Sequence, residues 1–252
     1  MNLNKLLDLA IEAAKTASVE ILKIYHSEDF GTALKADQSP LTLADQASHK
    51  AIEAYLRETG IPVLSEEGAQ TDYAIRKNWD YFWLIDPLDG TKEFVKRNGE
   101  FTVNIALIQK GTPILGVVQT PVTQDLYFAV LGSGAYKNGE PIEAAKFDIS
   151  DAKLNVVASR SHLNPETQLF LDQLKNPQIV SKGSSLKLLM VAEGTAHLYP
   201  RFAPTMEWDT AAAQIIVTEA GGKILIKDTD QSIVYNKENL LNPYFLVLGK
   251  QD

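Results

Sequence analysis

Between Asn4 and Tyr25, apolar residues recur at helical spacing: Leu6, Leu7, Ala10, Ile11, Ala14, Ala17, Ile21 and Ile24. The pattern predicts an amphipathic helix with one buried face. Ser39-Pro40 interrupts any continuation. Thr42 is then a good N-cap for a second helix that ends near Glu58, before Gly60, with Asp45 at the capping-box position. Ile61–Leu64 predicts a short strand running into Ser65-Glu66-Glu67-Gly68. Phe82–Ile85 predicts a buried strand entering a turn, Asp86-Pro87-Leu88-Asp89-Gly90-Thr91. Lys92–Glu100 reads as a polar loop. Four apolar strands follow, Thr102–Ile108, Ile114–Gln119, Leu126–Val130 and Ala135–Lys137, with hairpin turns at Lys110-Gly111-Thr112-Pro113 and Lys137-Asn138-Gly139. Short turns between consecutive strands predict an antiparallel meander.

The strand pattern lapses between Pro141 and Lys153. Beyond it, strands at Leu154–Ala158, Gln178–Ser181 and Ala196–Tyr199 alternate with helices at Pro165–Leu174 and Ser184–Glu193, the latter capped by Ser184 or Ser185. Ala211–Ala220 is apolar enough for a buried helix closed by Gly221, with Asp209 at its start. Strands near Lys223–Ile226 and Tyr244–Leu248 end the chain. The expectation is two lobes. Residues 1–145 would set two helices on a mainly antiparallel α+β sheet, and 146–252 would be α/β and contribute Asp209.

Composition narrows the chemistry. The 252 residues contain no Cys, which excludes a disulfide framework, a thiolate nucleophile and Cys-based metal sites. A net charge of −8 disfavours binding a nucleic-acid polymer. No apolar run is long enough to cross a bilayer, and the N-terminal stretch has acids where a signal peptide needs an apolar core. A cytoplasmic protein is expected.

Five acids stand at element ends: Asp45, Glu66, Asp86, Asp89 and Asp209. Each alone has an ordinary explanation as a cap, a turn residue or a solvated loop acid. Together they suit Mg²⁺, a hard ion that takes oxygen ligands, and two such ions support phosphoryl transfer to water. No zinc spacing, P-loop, GxGxxG or nucleophile elbow competes.

The blocks SEE at 65–67, DPLDGT at 86–91 and WDTAA at 208–212 followed by EAGG resemble the inositol monophosphatase superfamily across nearly the whole chain. Longer runs, DPLDGTKEFVKRNGEFTVNIALI, SRSH at 159–162, GSSLK at 183–187 and AEGTAHLYPRFAPTMEWDTAA from Ala192, are similar to its 3'(2'),5'-bisphosphate nucleotidase branch. The resemblance implies an αβαβα layered sandwich. It also implies lithium-sensitive, Mg²⁺-dependent hydrolysis of adenosine 3',5'-bisphosphate to AMP and phosphate, clearing a by-product of sulfate assimilation. Glu66, Asp86 and the Leu88 carbonyl would hold one ion, and Asp86, Asp89 and Asp209 a second. Asp45 with Glu66 would activate the water, with a third ion as an option. Thr91 would bind that water, and the Gly90 and Thr91 amides the phosphate. Lys187 and Arg201 would take the substrate's second phosphate, and Ser184, Ser185 and His162 would line the nucleotide pocket. A homodimer and peripheral attachment to the inner membrane face stay open. So does the alternative of an inositol monophosphatase or fructose-1,6-bisphosphatase type of sugar phosphatase. Ala213 departs from the Gly of many relatives, which bears on substrate preference but touches no ligand.

Overall fold

The computed structural model describes residues 1–26, 32–34, 40–68, 71–158 and 164–251. Helix α1 (Leu3–Tyr25) is capped by the Asn2 side chain, which accepts from the Asn4 and Lys5 amides. Its buried stripe is mostly alanine, Ala10, Ala13, Ala14 and Ala17 with Ile21, so a neighbour can approach closely. Strands β1 (Thr32–Leu34) and β2 (Pro40–Thr42) form an antiparallel pair. Helix α2 (Leu43–Leu56) then packs against α1. Its last turn tightens into a 3-10 turn, Arg57–Thr59, and stops at Gly60, whose φ of 67° lies in the left-handed region that favours glycine.

A seven-stranded sheet follows: β3 (Val63–Ser65), β4 (Tyr81–Asp89), β5 (Thr102–Gln109), β6 (Thr112–Gln119), β7 (Leu126–Val130), β8 (Ala135–Lys137) and β9 (Glu140–Ile142), in that order. β3 and β4 are parallel, joined by a crossover carrying the short helix α3 (Tyr73–Arg76). The other neighbouring pairs are antiparallel. Helix α4 (Thr91–Val95) lies between β4 and β5. The predicted hairpins are present, with positive φ at Lys110, Gly111, Asn138 and Gly139, as two-residue loops of this kind require.

Strand β10 (Lys146–Phe147) pairs with the last strand of the chain. A second sheet comprises β11 (Asn155–Ala158), β12 (Gln178–Ser181), β13 (Leu198–Arg201), β14 (Lys223–Ile226) and β15 (Phe245–Leu248), in the order β12-β11-β13-β15-β14. Its helices are α5 (Pro165–Leu171), α6 (Leu186–Ala192) and α7 (Ala211–Glu219), and the last strand is β16 (Lys250–Gln251).

Alternation along β4 builds the layers. Trp83 and Ile85 join α1 and α2 in one core. Phe82 and Leu84, pointing the other way, join α6, α7 and the inner face of the second sheet. The outer face of that sheet, with Val156, Leu198 and Leu248, packs against Leu171 of α5. Helices, sheet, helices, sheet and helix therefore stack in the αβαβα order that the resemblance implies.

Three expectations need correction. β4 does not turn after Ile85 but continues through Asp89, with a register shift between Asp86 and Asp89. The polar stretch after it is not all loop, because Phe94 is buried and anchors α4. Neither Ser184 nor Ser185 makes a capping hydrogen bond to α6; both hydroxyls turn toward Asp89 instead.

Candidate metal and phosphate site

The irregular end of β4 creates the site. In a regular strand, residues three apart point to opposite faces. Here Asp86 pairs with Asn104 and Asp89 with Thr102, so three steps on β4 oppose two on β5. The extra residue turns both acids to one face. Pro87 is tolerated because it falls at this irregularity. Its carbonyl, freed from the ladder, accepts the Ser48 hydroxyl of α2 at 2.6 Å. The Leu88 amide donates to Asp86 Oδ1 at 3.1 Å. Gly90, with φ of 100°, then starts α4. A Cβ there would press on the backbone of Glu100 and Phe101, so glycine is required on both counts.

The second half of the chain supplies Asp209. It closes a 3-10 turn, Glu207–Asp209, just before α7, and its carboxylate accepts the Met206 amide at 2.9 Å. Behind it, the fully buried Glu207 accepts the Lys237 ammonium at 2.6 Å and the amides of Asn236 and Lys237. One carboxylate oxygen each from Asp86, Asp89 and Asp209 lies within 4.8 Å of the others.

These acids strain each other. Burial pushes the Asp86 carboxyl well above the usual range, and Glu66, Asp89, Asp209 and Asp45 add their charges, in that order. Asp209 is pushed up to about 8, by burial first and then by Asp89. Five expected acids thus share one electrostatic neighbourhood. Asp45, in the first turn of α2, is buried, which an ordinary helix-start acid has no reason to be. Glu66 follows β3, its amide bonded to the Ile85 carbonyl of β4.

A cavity of about 100 Å³ opens beside the acids, lined among others by Asp89, Gly90, Ser184, Lys187, Arg201 and Asp209. Lys187 donates to the Ser184 carbonyl at 2.6 Å. Burial lowers its ammonium to about 8, against the pull of Asp89. Arg201 donates to the Pro204 carbonyl at 2.7 Å, and its buried Nε has no partner among the described residues. Thr91 sits within 3.5 Å of the Leu88 carbonyl. His162 lies outside the described residues.

Residues that sequence reasoning missed also meet here. Ser48, Thr102 and Asn104 stand on helix and strand positions that look like ordinary packing sites. Only the pairing of β4 with β5 reveals that Thr102 and Asn104 face the acids. Tyr199 and Glu93 line the cavity as well; Tyr199 stands on the same face of β13 as Arg201, two residues away, a period-2 signal that could have been read.

Residues 2–244 match the profile of the Inositol monophosphatase family. The chain is 44% identical to the 3'(2'),5'-bisphosphate nucleotidase CysQ of Salmonella typhimurium, covering 96% of this chain and 99% of that protein. The same figures hold for the CysQ of Escherichia coli strain K12. The crystal structure of CysQ from Bacteroides thetaiotaomicron, described as a bacterial member of the inositol monophosphatase family, superposes with a TM-score of 0.88 at 48% identity over 98% of both chains. With the family profile matched over residues 2–244 and relatives at 44–48% identity along nearly the whole chain, the chain belongs to the inositol monophosphatase family.

Proposed function

We propose that this protein is a Mg²⁺-dependent 3'(2'),5'-bisphosphate nucleotidase that hydrolyses adenosine 3',5'-bisphosphate to AMP and phosphate. The observation that carries the reading is one cavity shared by opposite charges. Asp89 and Asp209 line it together with Lys187 and with Arg201, whose buried Nε has no partner among the described residues. A buried guanidinium nitrogen with no acceptor suits an anion supplied by a ligand. A substrate with two phosphates would use both the acids and the cations. The names carried by the relatives at 44% identity support the same substrate class.

The donor set fits a hard divalent cation: every candidate ligand atom is an oxygen, and Asp86 and Asp209 are raised by burial and by neighbouring carboxylate charge that a cation would relieve. Glu66, Asp86 and the Leu88 carbonyl would hold one ion, and Asp86, Asp89 and Asp209 a second. When bound, Mg²⁺ supplies charge neutralisation of the phosphoryl group and a water of lowered pKa. Asp45 and Glu66 hold the attacking water and receive its proton. The Thr91 hydroxyl orients that water, and the Gly90 and Thr91 amides, at the start of α4, bind phosphate oxygens. Lys187 and Arg201 hold the second phosphate.

The test compares kcat/KM with Mg²⁺ for adenosine 3',5'-bisphosphate, inositol 1-phosphate and fructose 1,6-bisphosphate, in wild type and Arg201→Ala. The nucleotide is preferred, and the variant loses most of that preference while keeping the basal rate on inositol 1-phosphate. Preference for either sugar phosphate in the wild type refutes the substrate and retains the metal reading.

A further inference from the structure

The acids come from parts of the chain about 120 residues apart, and one buried hydroxyl touches both. Ser185 Oγ lies 3.0 Å from Asp89 Oδ2 and 2.9 Å from the backbone carbonyl of Asp209. It also lies 3.0 Å from Asn104 Nδ2 of β5. Ser185 and Asn104 are each only 1% exposed, and neither lines the cavity where a substrate would sit.

Thr102 donates to Asn104 Oδ1 at 3.1 Å, which turns the amide NH₂ toward Ser185. Ser185 therefore receives a proton from Asn104, and its own hydroxyl hydrogen points to Asp89 or to the Asp209 carbonyl. Ser184 donates to the same Asp89 oxygen at 2.7 Å. The Asp89 carboxylate cannot rotate without moving Oδ2 away from both serine hydroxyls. The loop carrying the serines is itself anchored to the first half of the chain, because the Gly183 amide donates to Glu100 Oε2 at 3.0 Å. A Cβ at Gly183 would collide with the Glu100 carbonyl, so the anchor depends on glycine.

We propose that Ser185, polarised by Asn104, is a positioning residue that fixes Asp89 against Asp209 and so sets the affinity of the site for its divalent cation. The inference rests on the metal reading given above. It also reassigns Ser185, which the resemblance would place in the nucleotide pocket, to the support of a metal ligand.

Isothermal titration of Mg²⁺ into metal-free wild type, Ser185→Ala, Asn104→Ala and the double variant decides it, alongside metal-free melting temperatures. Loss of an outer support of a metal ligand typically weakens binding about 10–100-fold. Ser185→Ala is expected to weaken Mg²⁺ binding by about tenfold or more while the metal-free melting temperature stays near that of wild type. Asn104→Ala weakens it less. The double variant is no weaker than Ser185→Ala, because Asn104 acts through Ser185. In turnover, the Mg²⁺ concentration for half-maximal rate rises, and kcat at saturating Mg²⁺ falls much less. Wild-type affinity in Ser185→Ala overturns the proposal. Additive losses in the double variant overturn the role of Asn104. A wild type that binds no Mg²⁺ overturns the metal reading itself, which separates the two failures.

Discussion

At Gly116 the two halves of the protein approach closely enough to leave no room for a side chain, and Gly116→Ala tests whether that contact places Asp209. The glycine lies in β6, and α7 packs directly over this strand. A Cβ built there would overlap the Ala212 carbonyl oxygen and Ile215 Cγ2, and would lie 3.1 Å from the Ala212 carbonyl carbon. Carbon–carbon contacts are comfortable at ~3.5 Å. The carbon alone thus asks α7 to retreat by about 0.4 Å, and the oxygen and the methyl ask for more. Overpacking of this kind costs ~1–3 kcal/mol, offset by ~0.4–1 kcal/mol from the smaller unfolded-state entropy of alanine. The net is a loss of about 1–2 kcal/mol, or roughly 2–8 °C in melting temperature for a chain of this size. Because α7 begins two residues after Asp209, the shift reaches the site. Misplacement approaching 1 Å can reduce rate by ~10²-fold, so a fall in kcat of at least about tenfold is expected. Thermal unfolding and phosphate-release kinetics on the same preparation provide the check. A variant as stable and as active as wild type would refute the claim that the close seat of α7 on β6 positions Asp209.

Three further outcomes follow from the charges. Asp209 has a native pKa near 8 without metal, far above its unfolded value, so the native state binds more protons between about pH 4 and pH 8. The stability of the metal-free protein therefore falls as pH rises through that window; Asp209→Asn flattens the fall and raises the metal-free melting temperature at pH 8, and a lower melting temperature would contradict the account. Lys187, lowered to about 8, loses its charge above that pH, so KM for the bisphosphate rises there in wild type and stays flat across the same range in Lys187→Met. Glu207→Gln removes the charge that holds Lys237 and two amides; the expected loss is about 3 kcal/mol, read by denaturant unfolding, and a loss below about 1 kcal/mol would show that this buried pair is dispensable.

The layered fold was legible wherever periodicity was strong. The alanine-rich stripe of α1, the meander and its hairpin turns near Lys110 and Asn138 stand where the sequence predicts them, because local pattern and tertiary burial agree there. β4 misled at Asp86-Pro87, since a proline and two acids read as a turn, whereas the register shift lets the strand continue and uses the acids. α4 was hidden because its exposed residues carry no apolar period and a single residue, Phe94, buries it. At the site, the acids were visible as residue types at element ends. Asp45 and Asp209 could not be told from caps until burial and neighbouring charge were known. Ser184 and Ser185 looked like caps because a serine before a helix normally is one. Their turn toward Asp89 depends on β5, some 80 residues away in sequence, which no local pattern encodes.

The central claim is that acids gathered from both halves of the chain hydrolyse a nucleotide bisphosphate with a divalent cation. Initial rates of phosphate release from adenosine 3',5'-bisphosphate, for wild type and Asp89→Asn, with Mg²⁺ and after chelation, test it most directly. The account predicts rapid release by wild type with Mg²⁺ and at least about a hundredfold loss on chelation or in the variant. Release that survives chelation, or an Asp89→Asn enzyme as fast as wild type, would contradict it.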